Sequence, residues 1–262
     1  MTKAEKLQII AENEQKVYEA GKQAAYAEGD QGVYEAGKKA QYDEFWDSFQ
    51  DKGIRSSGNY MFANGGWNDI TFKPKYSLRE LTNCANMFNT CKITDLKGIL
   101  ESRGLTFDFK NCGNMQNLIA YSTITRCPKV NGSKASGFNQ FALAAKNLVS
   151  IDEIVLKNDG SQTFTSAFSN CEALEEIRFS GKIGKSINFQ WSTKLSKASI
   201  ESIMAALSRD ANLSTHSITL SLDAVNKAYE SSEGANDGTG GQGGSFWDTA
   251  VMHNDKWTVS LI

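Results

Sequence analysis

Eight residues decide the fold of this chain: Cys84-Ala85-Asn86-Met87-Phe88-Asn89-Thr90-Cys91. Four positions in this stretch are apolar or cysteine, and we call them slots. They are Cys84 and the residues three, four and seven places after it, Met87, Phe88 and Cys91. The pattern recurs three more times, in copies that begin 31, 23 and 26 residues apart. The later slots are Met115, Leu118, Ile119 and Ser122; Phe138, Phe141, Ala142 and Ala145; and Phe164, Ala167, Phe168 and Cys171. A recurrence of this length indicates an array whose units must stack to bury their apolar faces.

Each repeating unit is predicted to contain a short helix followed by a short strand. The slot spacing is that of one helix face over about two turns. Extended apolar stretches of similar form follow the third and fourth copies, at residues 151–156 and 174–179. One helix and one strand per unit describe a leucine-rich repeat, so the sequence predicts an α/β fold built as a leucine-rich-repeat-like solenoid with irregular repeats. The alternative is a mixed α/β core in which the periodicity is accidental.

The two ends of the chain differ from the repeats, so the sequence predicts three regions. Residues 1–50 are rich in Ala, Glu, Lys and Gln and are predicted to form a helical attachment or oligomerisation segment, whose narrow apolar stripe needs partner helices. Residues 51–195 are assigned to the solenoid. Residues 196–262 are predicted to form an α/β cap with a glycine-rich loop at 234–244, because the ends of a stacked array must be covered.

The pattern within the cap predicts its individual elements. A helix is expected from Ser199 to Leu207, capped by Ser196 or Ser199. Alternating apolar residues predict a strand over 217–222 and a last strand through Trp257, Val259 and Leu261. A short helix is expected between them, over 223–229.

Composition excludes several classes of function. The chain has 262 residues and a net charge of −2, and it lacks the row of Lys and Arg that non-specific nucleic-acid binding requires. Because no apolar stretch of 18 residues occurs, membrane insertion is not expected. The first 16 residues are charged and have no apolar segment, so we expect synthesis in a cytoplasm without a signal peptide.

The residues that usually carry chemistry form no recognisable set. The five cysteines include no CxxC pair, and His216 and His253 lie far from them, so neither a metal site nor a cofactor is predicted. Cys84, Cys91 and Cys171 occupy slots, where a packed and reduced thiol is expected. No GxSxG motif marks a nucleophile. No catalytic residues are therefore assigned, and the chain is not expected to be an enzyme.

The candidate binding residues are those that face outward from the predicted strands. Side chains alternate across a strand, so the polar residues between the apolar ones are expected to share an exposed, acidic face. Two aromatic residues are further candidates for the same binding face. The full set is Asp152, Glu153, Glu175, Glu176 and Arg178, with Tyr121 and Trp191. The alternative interpretation of this face is a solvated surface with no ligand.

The repeats resemble the BspA-like branch of leucine-rich repeats, whose units follow a pattern of the type N-M-x-x-M-F-x-x-C. Here Asn83-Cys84, Met87-Phe88 and Cys91 carry it most fully. The resemblance covers roughly residues 78–200. The N-terminal stretches 6–13, 17–21 and 42–47 are similar to the start of repeat proteins encoded by phages and prophages of gut bacteria. This similarity implies synthesis in a bacterial cytoplasm.

The resemblance implies three functions. The first is a phage virion or tail-associated adhesion protein, for which a homotrimer and contacts of residues 1–50 with other virion proteins are expected. The second is a bacterial surface or interaction protein that binds a host protein or a cell-surface glycan, although such members usually carry an export signal. The third is an intracellular phage protein that binds and inhibits a host factor.

Overall fold

The computed structural model describes residues 57–69, 71–75, 77, 81–107, 109–210, 214–229 and 256–262. Within these ranges the chain is a mixed α/β protein with two small parallel sheets and three short helices. The predicted attachment segment, residues 1–50, and the glycine-rich loop, residues 234–244, lie outside the described residues.

The slot residues form the core, as the sequence predicted. All sixteen are buried, and none is more than 4% exposed. All of them except Ser122 belong to one apolar cluster that extends from Phe62 to Trp257. Aromatic rings connect successive copies, since Phe138 stacks on Phe164 with ring centroids 5.7 Å apart. The large slot residues Met87, Phe88, Leu118, Ile119, Phe141, Phe164 and Phe168 all lie in this continuous interior.

The predicted helix within each copy is wrong. Residues 85–90 form a run of linked turns, in which the N–H groups of Met87, Asn89 and Cys91 each donate to the carbonyl three residues earlier. Asn86 and Thr90 have φ values of 56° and 57°, a left-handed conformation that ends a right-handed helix. The i, i+3, i+4, i+7 spacing therefore buries one side of a turn run as well as it would bury one side of a helix.

The N–H groups that are not used within a copy join it to the next one. Phe88 N–H donates to the carbonyl of Leu118 at 2.8 Å, and Asn86 N–H donates to that of Gln116 at the same distance. The same register continues downstream, where Ile119 N–H donates to the carbonyl of Phe141. We call this set of bonds between turn runs the turn ladder. The turn ladder gives hydrogen-bond partners to backbone N–H and carbonyl groups that would be costly to bury unpaired.

The ladder reveals a fifth copy that precedes the four found in the sequence. Phe62 N–H donates to the carbonyl of Met87 at 2.8 Å, which aligns residues 58–65 with residues 84–91. Gly58 and Gly65 occupy the outer slots of this copy, so the apolar pattern does not show it. Every copy has left-handed residues at the same two places, four residues apart. They are Tyr60 and Asn64, Asn86 and Thr90, Asn117 and Tyr121, Gln140 and Ala144, and Ser166 and Asn170.

Strands follow the turn runs and stack in parallel. β1 (Arg126–Cys127) and β2 (Val130–Asn131) both pair with one side of β3 (Ser150–Val155), and β4 (Glu176–Ser180) pairs with the other side. The strands predicted at 151–156 and 174–179 are thus confirmed. Helix α1 (Leu96–Glu101) lies between the first two predicted copies and accounts for their wider separation.

The last part of the chain matches its predicted elements closely. Helix α2 (Lys197–Ala206) is capped by Ser196, whose Oγ accepts from Ser199 N–H. Helix α3 (Leu222–Ala228) follows strand β6 (His216–Leu220). β6 lies between β5 (Ile187–Phe189) and β7 (Trp257–Leu261) in a parallel sheet. One sheet therefore contains strands from both the predicted solenoid region and the predicted cap.

The cysteines differ in part from the prediction. Cys84 and Cys112 form a disulfide between Cα atoms 6.0 Å apart, so the expected reduced thiol at Cys84 is wrong. The ladder brings this pair together, because Cys112 lies just before the copy on which Cys84 stacks. Cys91, Cys127 and Cys171 are free and buried. Burial raises the pKa of the Cys91 and Cys171 thiols to about 12, which keeps both protonated and unreactive at neutral pH.

Thiol titration of the full chain tests this assignment. We expect the folded protein to react slowly with a thiol reagent, because the thiolate is the nucleophile and these thiols stay protonated. The chain unfolded without reductant should expose the three free thiols, and reductant should raise the number to five. Five reactive thiols without reductant would rule out the disulfide.

At a left-handed position, substitution of alanine by glycine is expected to stabilise the fold, whereas it usually destabilises one. Ala144 has a φ of 55°, a conformation that glycine adopts without strain. Ala144→Gly should therefore raise the free energy of unfolding by about 0.5–1 kcal/mol. Ala63 is a matched control, since it is also half-buried in a turn run but has no positive φ. Ala63→Gly should lower the stability by a similar amount. Urea unfolding of both variants provides the comparison, and a loss of stability in both would contradict the left-handed assignment.

Candidate binding surfaces

The predicted strand face exists, but a bulge shapes it. Ser150 and Ile151 pair with Glu176 and Ile177, and the register then shifts before Ile154 pairs with Phe179. Two residues of β3, Asp152 and Glu153, consequently lie opposite the single residue Arg178. A bulge of this kind lets two successive side chains face the same side, which strict alternation along a strand would forbid. Both carboxylates are half-buried on the solvent side.

The two carboxylates of the bulge are each held by a cation from a neighbouring segment. Lys97 Nζ of α1 lies 2.7 Å from Asp152 Oδ1. Lys129 Nζ lies 2.5 Å from Glu153 Oε2. Arg126 makes a similar pair with Asp95, with its Nε 3.0 Å from Oδ1. The prediction of an acidic face overlooked these partners, because they lie more than twenty residues away in sequence and reach the strands only through stacking.

Hydrogen bonds shift the pKa values of two groups in these ion pairs, Glu153 and Lys97. The bond from Lys129, reinforced by one from Ser180, lowers the pKa of Glu153. The bond to Asp152 raises the pKa of Lys97. Both shifts favour the charged forms, so Glu153 and Lys97 remain ionised around neutral pH. A carboxylate already engaged by a lysine has less capacity left for an external ligand.

The other predicted site residues are spread over different parts of the molecule. Glu175 and Glu176 are exposed at the start of β4, and the carbonyl of Glu175 accepts from Ser199 Oγ at 2.9 Å. Tyr121 lies in a turn run and is 54% exposed, whereas Trp191 follows β5 and is 47% exposed. Among the described residues, no hydrogen bond, ion pair or ring contact joins either aromatic side chain to the strand carboxylates. The seven candidates therefore do not form one cluster.

A second surface, which the sequence reasoning missed, lies on the turn runs. Each copy contributes four residues that fall between its buried slots, and stacking aligns them in columns. We call this surface the turn face. Its members are Asn59, Tyr60, Ala63 and Asn64; Ala85, Asn86, Asn89 and Thr90; Gln116, Asn117, Ala120 and Tyr121; Asn139, Gln140, Leu143 and Ala144; and Thr165, Ser166, Ser169 and Asn170. Ala85 and Ala120 are buried beneath this face, and the other members are exposed or half-buried. None of them is charged, in a chain of which 22% of the residues are charged.

Side chains of the turn face bond from copy to copy. Asn117 Nδ2 donates to Asn86 Oδ1 at 3.1 Å. Gln116 Nε2 donates to Gln140 Oε1 at 3.4 Å, and Thr165 N–H donates to Asn139 Oδ1 at 3.1 Å. These bonds hold amide groups in a fixed row along the stack. The sequence does contain a signal for this face. In every copy, the residues between the first and second slots, and between the third and fourth slots, are uncharged.

Comparisons with known proteins leave the geometry as the only guide to function. No family model matches the chain, and no match is found among curated proteins or among solved structures. Within the described ranges, no group of three or more His, Cys, Asp or Glu side chains is placed to hold a metal ion. In the same part of the chain, no helix has the length and apolar character needed to cross a membrane.

The ion pair at Glu153 predicts a specific response to pH. The pKa of Glu153 is lowered on folding, so its contribution to stability is present above the unfolded pKa of about 4.3 and is lost as the pH falls through the folded value. Glu153→Gln removes this dependence. Between about pH 6 and pH 3, the wild type should thus lose more unfolding free energy than the variant does.

Thermal unfolding at several pH values measures this difference. Glu176→Gln is the matched control, because this exposed carboxylate lies on the adjacent strand and no ion pair is found for it in the described structure. It should follow the wild-type pH profile. Parallel profiles for the wild type and Glu153→Gln would show that the pair with Lys129 is not formed in solution.

Proposed function

We propose that this chain is a leucine-rich-repeat-like solenoid that acts by binding through its repeat surface, as an adhesion protein associated with a phage virion or tail. The observation that carries this proposal is the unbroken register of the turn ladder from residue 58 to residue 170. Because equivalent side chains align in columns, the repeats present a long surface and not a single enclosed site. Surfaces of this kind suit large or elongated partners.

The partner is proposed to be a protein or a cell-surface glycan. Residues 1–50 are proposed to attach the chain to other virion proteins and to assemble it as a homotrimer, which would present several copies of the repeat surface at once. Multivalent presentation can strengthen weak contacts by factors of about 10²–10⁴ without any new interaction. A weak repeat surface could in that way hold a particle to a cell.

The disulfide favours a place of action outside the cytoplasm. Disulfides persist in oxidising surroundings and are rare where thiol reductants are abundant. The Cys84–Cys112 bond thus supports adhesion over the inhibition of an intracellular host factor. It is equally compatible with the second function, a bacterial surface protein that binds a host protein or glycan.

Two measurements on the full chain test the proposed function. Quantitative mass spectrometry should find the chain in density-purified virions at a fixed ratio to the other virion proteins. Fluorescently labelled chain should bind intact host cells in flow cytometry, and unlabelled chain should displace it. A chain that is found only in the soluble fraction of infected cells, and that does not bind the cell surface, would contradict the proposal.

A further inference from the structure

We propose that the turn face is the binding surface and that its ligand is a neutral glycan. This inference rests on the proposed function, which it deepens by naming the face and the ligand class. It differs from the sequence prediction, which placed binding on the charged strand face. Three observations support it: the chemistry of the turn face, the position of its two tyrosines, and the pairing of the strand carboxylates with lysines.

The chemistry of the turn face matches a ligand rich in hydroxyl groups. Nine of its members are Asn or Gln and four are Ser or Thr. Amides and hydroxyls both donate and accept hydrogen bonds, as sugar hydroxyls do. The absence of Lys and Arg from this face disfavours nucleic acids and anionic glycans as ligands. Such ligands bind to basic side chains, which neutralise their charges and displace their counterions. The scarcity of large aliphatic residues, with only the half-buried Leu143, disfavours a protein interface with an apolar centre.

The tyrosines of the turn face have no structural explanation. Tyr60 and Tyr121 have φ values of 57° and 55°, and they are 55% and 54% exposed. A bulky residue in the left-handed region costs free energy, and a side chain this exposed recovers little of it by packing. Most other copies place Asn, Ser, Thr or Ala at the equivalent positions. An exposed ring with a polar tip is suited to lie against the apolar face of a sugar ring.

The spacing of the tyrosines favours an elongated ligand. Tyr60 belongs to the first copy of the ladder and Tyr121 to the third, so they lie two ladder steps apart, or about 10 Å along the stack. Asn86 belongs to the copy between them, and its Oδ1 accepts a hydrogen bond from Asn117 Nδ2 of the third copy. A ligand that runs along the stack would meet one aromatic ring near each end and the fixed amide of Asn86 between them. The strand face competes poorly, because Asp152 and Glu153 are already bound to lysines.

Substitution by asparagine separates binding from folding. Asparagine tolerates the left-handed conformation better than tyrosine does, so Tyr60→Asn and Tyr121→Asn should fold and should be at least as stable as the wild type. If the tyrosines bind ligand, the same variants should lose affinity by at least about tenfold, which is about 1.4 kcal/mol. A merely structural role would instead predict a loss of stability. Trp191→Ala is the control, because Trp191 is comparably exposed but lies off the turn face.

The experiment uses the full chain on an array of neutral and anionic oligosaccharides, followed by calorimetry with the strongest neutral compound. We expect binding to neutral glycans that is weakened in both tyrosine variants and unchanged in Trp191→Ala. The affinity should change less than about twofold between 50 mM and 500 mM salt, because no charge pairs form.

Three results would overturn the inference. Binding only to anionic glycans, with strong salt dependence, would move the site away from the turn face. Self-association that Tyr121→Asn abolishes would make a second copy of this chain the occupant. Binding to host cells without binding to any arrayed glycan would overturn the neutral-glycan ligand while leaving the proposed adhesion function intact, whereas failure of both assays would overturn both.

Discussion

The hydrogen bonds of the turn ladder are the interaction on which the rest of this structure depends. Along residues 84–91, every backbone N–H has a partner. Four donate to the next copy, three donate within the turn run, and Ala85 N–H donates to the side chain of Asn83. A buried segment that is neither helix nor strand would otherwise leave these groups unpaired, at a cost of about 1–3 kcal/mol each. The left-handed residues make this possible by turning the chain so that alternate N–H groups point along the stack.

Several other features follow from the register of the ladder. It brings Cys84 next to Cys112. It also places Phe62 and Phe88, from neighbouring copies, within stacking distance of each other, and Phe107 from the segment after the second copy stacks on Phe88. A buried side chain extends the same logic beyond the turn runs. Gln162 is fully buried, and its Nε2 donates to the carbonyls of Gly132 and Ala135 while its Oε1 accepts from Lys157 N–H. Each copy is thus fixed to its neighbours by polar bonds as well as by apolar contact.

The sequence predicted the core well because burial depends on spacing, whichever backbone produces that spacing. Met87 and Phe88 are buried at three and four residues after the first slot in a turn run, as they would be in a helix. The backbone could not be read from those residues alone. The informative residues were Asn86 and Asn117, since asparagine is common in the left-handed region. The cap was predicted more accurately, because Ser196 and the alternation at 216–220 are local signals. The charge pairing of Asp152 and Glu153 could not be predicted, because Lys97 and Lys129 approach them only after the strands have stacked.

Scalar couplings across hydrogen bonds, measured by NMR on deuterated protein, test the turn ladder most directly. The account predicts a coupling between the amide nitrogen of Phe88 and the carbonyl carbon of Leu118, and a second one between Ile119 and Phe141. A helical copy would instead connect Phe88 to Cys84, four residues earlier. Couplings of Phe88 to Leu118 and of Ile119 to Phe141 would establish the ladder, and a coupling of Phe88 to Cys84 would contradict it.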